Sequence, residues 1–386
     1  MSTEYLNISP IDAWFFRDGR PYNDGETTQT DVASLFPPLA PTVVGALRAA
    51  IAREHGWSGY GKWSPELIDV LGDGFDEHDG RLGQLRFCGP YVHHSDKKVL
   101  FPIPLHVLGT ADDTLKREWS PFTLLKPGNV IATDLGDVRL PVANKTTDGL
   151  KDGGARYLDA AGLARVLAGE VPGSEHVFET RTLWAHERRV GLKRDEHTRT
   201  TGDAALYSPH YIRLEPDVSL VMGIEGRPQD NWEVPALFTL GGESRMAAQE
   251  PLGDFDLARD LPAPTAIPTP GKGGVTITLL TPALFDDSPG KSRLPGPNET
   301  LPGLDAAVII SACIGKPVFI GGWNSLKREP LPLTPFLPAG TTWFCTVDPG
   351  KAADLLTRHL QHIGLRTAYG FGQIALGVWH EDSATS

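Results

Sequence analysis

The segment Leu360–Trp379, LQHIGLRTAYGFGQIALGVW, restricts the possible folds most. Upstream of its glycines, Ala352 to His362 carries Leu355, Leu356 and His359 at helical spacing, with Ile363 continuing the pattern. The glycines and Arg366 follow in GLRTAYGFG, and the apolar run Ile374–Val378 reads as a last strand. The order is therefore helix, glycine-rich loop, strand. Dinucleotide and P-loop sites have the reverse order, because the phosphate must meet amides at the start of a helix. The tract Gly271-Lys272-Gly273-Gly274 also lacks Walker spacing. Two readings of the loop stand: a helix cap with Gly364 in the left-handed region, or a backbone held open for a ligand beside Arg366.

The net charge of -12 argues against a nucleic-acid partner recognised by bulk electrostatics. One tract departs from that balance. Arg181–Thr200 holds six Lys or Arg against three Asp or Glu, a local +3, with Trp184, Val190 and Leu192 interleaved. It reads either as a solvated hairpin or as a basic finger whose Arg188, Arg189, Lys193, Arg194 and Arg199 follow a phosphate backbone. Cys88, Cys313 and Cys345 form neither a CxxC pair nor a zinc spacing, so buried free thiols are expected. The start, Met1-Ser2-Thr3-Glu4, lacks the basic region of a secretory leader, and no apolar run reaches membrane length. A cytoplasmic protein is expected. His93, His94 and His106 match no metal-ligand spacing, and core or surface histidines are expected.

Taken in order, Tyr5–Phe16 reads as a first strand with Pro10 at a bulge or edge. Arg17-Asp18-Gly19-Arg20 turns beside Phe15, Phe16 and Tyr22, which suits a solvated turn or a phosphate with a splayed base. Val43–Glu54 reads as a helix capped by Thr42, with Arg48 off its apolar face. Residues 110–180 are weakly patterned apart from a helix at Ala160–Leu167. Trp232–Phe238 reads as a short helix, so that LGGESR at 240–245, with Arg245, echoes the C-terminal helix–glycine–arginine order. Strands follow at Val275–Leu280, Val308–Cys313, Pro317–Gly321 and Thr342–Val347, with Pro330–Pro338 as an irregular crossing.

This order fits an α+β chain of two ferredoxin-like (RRM-like, βαββαβ) domains, each a sheet with helices on one face and the other face free for RNA, a partner or the other domain. The expected domains are 1–255, with insertions over about 56–205, and 271–386.

The segments SPIDAWFFRDGRPY, FPPLAPTVVGALRAAI, ERRVGLKRD, LYSPHYIRL, LGGESR, TPALF and GLRTAYGFGQIALG occur in one order over nearly the whole chain. With them the chain resembles the RAMP subunit of the type III-B CRISPR (Cmr) effector complex that sits at the 5′ end of the CRISPR RNA. The resemblance implies two ferredoxin-like domains and binding of the repeat-derived 5′ tag. It also implies docking on the large polymerase/cyclase-like subunit and on neighbouring RAMP subunits. Neither a cofactor, a metal nor a target-cleaving role is implied. Arg17, Arg20, Arg48 and the loop Gly370-Phe371-Gly372 would face the tag, and the tract 188–199 would protrude near the guide. Arg245 and Arg366 are candidates for RNA or subunit contact. Two other classes stay open: a RAMP-type endoribonuclease using His186 or His210, and a purely structural assembly subunit.

Overall fold

The computed structural model describes residues 3–17, 31–73, 82–96, 98–111, 119–134, 136–194, 201–228, 230–269, 271–286, 294–324 and 329–381. These form two compact units. The first comprises 1–96, 181–253 and 319–334, and the second 97–180, 254–318 and 335–386. Residues 97–180, read from sequence as part of an insertion in the N-terminal domain, thus belong with the C-terminal segments. The architecture is α+β, with mostly antiparallel sheets and few helices.

The first unit is built on five antiparallel strands of a larger sheet. In spatial order its strands are Arg86–His94, Val218–Glu225, Glu4–Pro10, Met246–Pro251 and Leu237–Thr239. The first strand stops at Pro10, well short of Phe16. Beyond that stop, Trp14 and Ile212 exchange backbone hydrogen bonds of 3.0 and 2.7 Å, and Ala13–Phe16 are buried. Helix α1 (Ala40–Glu54) buries Val43, Val44, Leu47 and Ile51 and packs beside the sheet. It starts two residues before Thr42, and Leu39 occupies the N-cap with no side-chain bond. Pro41 in the first turn explains this, because its missing N–H costs nothing there and its φ is already helical. Helix α2 (Pro65–Leu71) follows, capped by Ser64.

Two expected features of this unit are absent. Trp232–Phe238 holds no helix; Pro235 interrupts it, and Leu237–Thr239 pairs with Met246–Ala248. LGGESR is therefore a hairpin turn between two strands and does not repeat the C-terminal order. The proline-rich stretch 329–336 is also no irregular crossing: Glu329–Phe336 pairs with Val318–Asn324 in a two-stranded ribbon. Such an edge tolerates prolines, since their missing donors are not needed.

The second unit is centred on the antiparallel strands Ala307–Cys313, Thr342–Val347, Gly273–Leu279 and Ile374–His380, in that spatial order. One face carries the main core, with Val275, Ile277, Trp343, Cys345, Ile374 and Leu376. The other face was expected to be free and is not. Cys313, Phe344 and Trp379 pack there against Leu105 and Leu125, and Gly377 admits the backbone of Leu167 in helix α3 (Ala160–Leu167). Asp159 caps α3 through the amide of Gly162. The segment 110–180 also contains the ribbon Trp119–Thr133/Gly136–Ala143. Much of this ribbon is exposed on both faces, so no apolar alternation advertised it.

The expected helix Ala352–His362 ends at Leu356. Leu360 takes a left-handed φ of 62°, and its amide donates to Ile374 O at 2.9 Å. The segment is drawn onto the last strand, and helical hydrogen bonds give way to those contacts.

All three cysteines are buried free thiols. Among the described residues, no group of three His, Cys, Asp or Glu could hold a metal. No helix among them is long and apolar enough to cross a membrane.

Two buried histidines, His93 and His106, and the half-buried His359 set a pH dependence. Burial pushes His106 down to about 4 and also lowers His93 and His359. A histidine depressed in the folded state is protonated more readily in the unfolded chain. Its stabilisation is complete above about 6.5, the unfolded value, and is lost as pH falls through the folded value. The urea midpoint is therefore expected to fall from pH about 6.5 towards about 4. His106→Gln should flatten this slope; a wild-type midpoint constant over the window would contradict the assignment.

Candidate nucleic-acid interface

In the first unit, Trp184–Arg188 and Gly191–Arg194 both pair antiparallel with Thr201–Leu214. The register sets Glu187 opposite Tyr211 and Ala185 opposite Arg213. The Trp14–Ile212 bridge brings the chain just after the first strand alongside them. As a result Asp12, Glu187, Arg189, Arg213, Arg245 and Tyr211, from four sequence segments, form one cluster.

The geometry is close. Arg189 donates to Asp12 at 2.7 Å and to Glu187 at 2.6 Å. Arg213 donates to Asp12 at 2.9 Å and also to Glu187. Arg245 Nη1 lies 3.6 Å from Asp12, and its Nη2 donates to the Tyr211 hydroxyl at 3.1 Å. The guanidinium carbons of Arg189 and Arg245 lie 4.7 and 4.4 Å from the Tyr211 ring centroid. Both distances are within cation–π range. Tyr211 is itself braced by Phe15, at a centroid distance of 5.6 Å.

Hydrogen bonds from Arg189 first, then Arg213, hold the Asp12 carboxyl below its usual range; for Glu187, Arg213 leads. The same bonds raise Arg189 and Arg213. Three guanidiniums face two carboxylates, leaving one net positive charge. The pairs are partly exposed, so each contributes little to stability. Their effect is to hold arginine planes on an aromatic surface, an arrangement suited to phosphate and to stacked bases.

The other arginines fall in different places. Arg17 is exposed and bridges to Ser34, whose hydroxyl accepts from Phe16 N at 2.7 Å. Asp31–Val32 runs parallel to Ser208–Pro209, and Arg188 donates to the Ser208 hydroxyl at 3.4 Å. The 31–34 segment thus connects Arg17 to the strand that Arg188 contacts. Arg188 and Arg189 therefore belong to one strand platform. Lys193 and Arg194 lie on the strand Gly191–Arg194; their side chains, and Arg20 and Arg199 entirely, lie outside the described residues.

Arg48 requires correction. It is only 5% exposed, not solvated, and points into the unit. Its Nε donates to Leu71 O at 2.7 Å and its Nη2 to Gly72 O at 3.1 Å, closing the C-terminus of α2. The guanidinium also lies 5.0 Å from the Trp63 ring. It serves the orphan carbonyls of a helix end and does not face outward.

In the second unit Gly364 takes the expected left-handed φ of 88°, but the preceding helix already ends at Leu356, so the glycine loop is a stitched turn and not an open backbone. Gly370, Phe371 and Gly372 are buried. Thr281 Oγ1 donates to Gly370 O at 2.7 Å, and Gly372 N donates to Pro282 O at 2.8 Å. Phe371 packs on Phe336 at 4.6 Å. Arg366 is half-buried in the left-handed region, with its guanidinium 6.0 Å from the Phe336 ring.

Arg213 and the acidic partners Asp12 and Glu187 were missed as site residues. The one local signal was Tyr211 beside Arg213 in HYIR; the rest depends on contacts up to 201 residues apart. His186 and His210 lie at nearby register positions, opposite Ile212 and Arg188.

The fold and this surface define an α+β protein of antiparallel sheets that gathers cationic planes on a strand platform. The chain belongs to the CRISPR-associated protein family Cas_Cmr3, whose model matches residues 6–379. It is thereby a RAMP-like subunit of the type III CRISPR class. Its fold is similar to a chain in the cryo-EM structure of the Type III-B Cmr-beta bound to cognate target RNA. The identity is 15%, coverage 88% of this chain and 86% of that one, and the TM-score 0.49. A chain of the Csm3-Csm4 subcomplex in the type III-A CRISPR-Cas interference complex gives 10%, 89% and 94%, and 0.38. A chain of the Csm1-Csm4 cassette in complex with pppApA gives 12%, 89% and 86%, and 0.35. No curated protein sequence matches.

Proposed function

We propose that this chain is the subunit of a type III-B effector ribonucleoprotein that holds the 5′ tag of the CRISPR RNA. It links the large polymerase/cyclase-like subunit to the neighbouring RAMP subunits and contributes no cleavage chemistry. The observation that carries this reading is the convergence of Arg189 and Arg245 on Tyr211, with Arg213 tied to them through Asp12 and Glu187, in a chain of net charge -12. Such a cluster gives a polyanion a local foothold that bulk charge does not. An arriving phosphate competes with Asp12 and Glu187 for the guanidiniums, which favours a defined strand over any polyanion. Arg17, Arg20 and Arg188 extend the proposed surface; Arg48 does not belong to it.

The proposed architecture is two ferredoxin-like domains. Support comes from strand order: in each main sheet the first four strands of the motif run second, third, first, fourth. The helical layer is reduced. Among the described residues, the first unit has α1 and a strand where the second helix would be, and the second unit has the short Ala352–Leu356 in the second helix position.

In the assembled complex, replacing Arg17 and Arg20 together by alanine is expected to reduce protection of the tag in ribonuclease footprinting. The variant's protection should also fall less steeply with added salt than wild type's, so that the deficit is largest at low salt, since each phosphate contact removed takes away part of the counterion-release term. Protection equal to wild type at every salt concentration would sink the assignment.

A further inference from the structure

The two main sheets differ in how their edges are closed. In the second unit, irregular segments of the chain take up outer backbone groups of both edge strands. On one side Asn298 N donates to Ile309 O at 2.8 Å, and Ile309 N donates to Glu299 O at 2.9 Å. On the other, Leu360 N donates to Ile374 O at 2.9 Å, and Leu376 N donates to His359 Nδ1 at 3.1 Å. The sheet of the first unit ends on Leu237–Thr239, which pairs with Met246–Pro251 on one side.

The other side of that strand is open. Ala236 O accepts from Gln249 N at 2.9 Å, and Leu240 N donates to Arg245 O at 2.8 Å. Backbone groups alternate in direction along an antiparallel pair, so Ala236, Phe238 and Leu240 turn theirs towards the partner strand. Leu237 and Thr239 therefore present their N–H and C=O outward. Among the described residues, no other backbone group pairs with these. The strand contains neither proline nor a charged residue, the usual blocks on an open edge. Glu329–Phe336, by contrast, carries Pro330, Pro332 and Pro335.

An apolar strip lies beside the open edge. Leu237 is 56% exposed and Met246 37%. Leu237 stands opposite Ala248 and Thr239 opposite Met246, so these side chains share one face, away from the buried Phe238 and Ala247. Ile11, 60% exposed, donates its amide to Met246 O at 3.2 Å and extends the strip. The two ends of the edge differ in charge. Glu233 and Glu250 are exposed at the Leu237 end, where Gln249 Nε2 donates to Val234 O at 2.7 Å. Arg245 stands at the other end, beyond Thr239.

These features select the occupant. Outward N–H and C=O groups on alternate residues fit another extended peptide backbone. The apolar strip offers nothing to a phosphate, which argues against a nucleic-acid strand. Three residues span about 10 Å, so two copies joined by this edge alone would bury far less than the roughly 1,000 Å² of a stable interface. The occupant is therefore a protein segment whose own subunit is also held elsewhere.

We infer that Leu237–Thr239 receives an extended segment of a neighbouring protein subunit, which adds a strand to the sheet of the first unit. The segment lays an apolar side chain on the strip of Ile11, Leu237 and Met246. It directs a basic residue to Glu233 and Glu250 and an acidic one to Arg245. The inference rests on the effector-subunit reading above.

The test follows amide hydrogen exchange over 236–240 in three states: the full chain alone, the chain with CRISPR RNA, and the assembled effector complex. Exchange is expected to slow about tenfold or more in the complex alone. Leu237→Lys and Thr239→Pro both change exposed positions, and the proline removes an N–H that points away from the partner strand. Each variant should keep the circular dichroism and urea midpoint of wild type. Each should enter the complex about tenfold less well when co-expressed in competition with wild type. If wild-type chain enters the complex with its exchange unchanged, or either folded variant competes equally, the edge inference is overturned while the effector-subunit reading survives. Slowing with RNA alone assigns the edge to RNA, and slowing in a free chain that sediments as a dimer assigns it to a second copy; both results overturn the inference. A chain that joins no complex overturns the effector-subunit reading and this inference with it.

Discussion

Gly372→Ala is expected to lower stability by about 3 kcal/mol or more, through strain and steric overlap acting together. Gly372 sits at φ 72°, and a Cβ built there would lie 1.9 Å from the Ile363 carbonyl oxygen. That oxygen is backbone and cannot swing aside. Ile363 N donates to Gly372 O at 2.9 Å, so moving the loop also breaks a backbone bond beside the last strand. Gly271→Ala provides the control. Its φ is 81° but nothing lies within 4 Å of the added carbon, so the cost there should be only about 1 kcal/mol. Urea denaturation of both variants checks the pair. Equal midpoints would mean that the close approach at Gly372 contributes nothing.

Replacing Arg48 with methionine is expected to cost about 3 kcal/mol, because two charge-assisted hydrogen bonds to Leu71 O and Gly72 O disappear together. Methionine keeps much of the stem volume, so the measurement isolates the guanidinium. The loss should appear in the denaturation midpoint of the protein alone, with no RNA present. A variant of wild-type stability that nevertheless weakens tag protection in the complex would return Arg48 to the RNA surface. An arginine off the apolar face of a helix invites a surface reading. Its burial follows from α2, whose C-terminal carbonyls need a donor and lie within reach of α1.

Comparison of the two arginine groups shows where sequence reasoning stops. Arg188 and Arg189 were legible as a basic tract interrupted by apolar residues, read either as a solvated hairpin or as a basic finger; its strands pair with Thr201–Leu214, outside that tract. The engagement of Arg189 with Asp12 was not legible, because residue 12 reaches it through a bridge between Trp14 and Ile212. Helical periodicity failed twice for one reason. Trp232–Phe238 and Leu360–His362 have acceptable local spacing, but neighbouring strands offer their backbones better-placed partners. Tertiary context overrides weak propensity in such short segments.

The opening segment shows the same division. Sequence alone determined that its glycines precede a strand, that no phosphate-cradling helix start follows them, and that the chain is α+β. It also carried the ordered motifs that match the family over nearly the whole chain. Only the tertiary structure decided that the loop is buried and stitched to residues 281–284, and that residues 97–180 cover the sheet face expected to be open. The physical reason is that periodicity and turn chemistry are local, whereas the partner of a sheet face or a carbonyl is fixed by long-range packing.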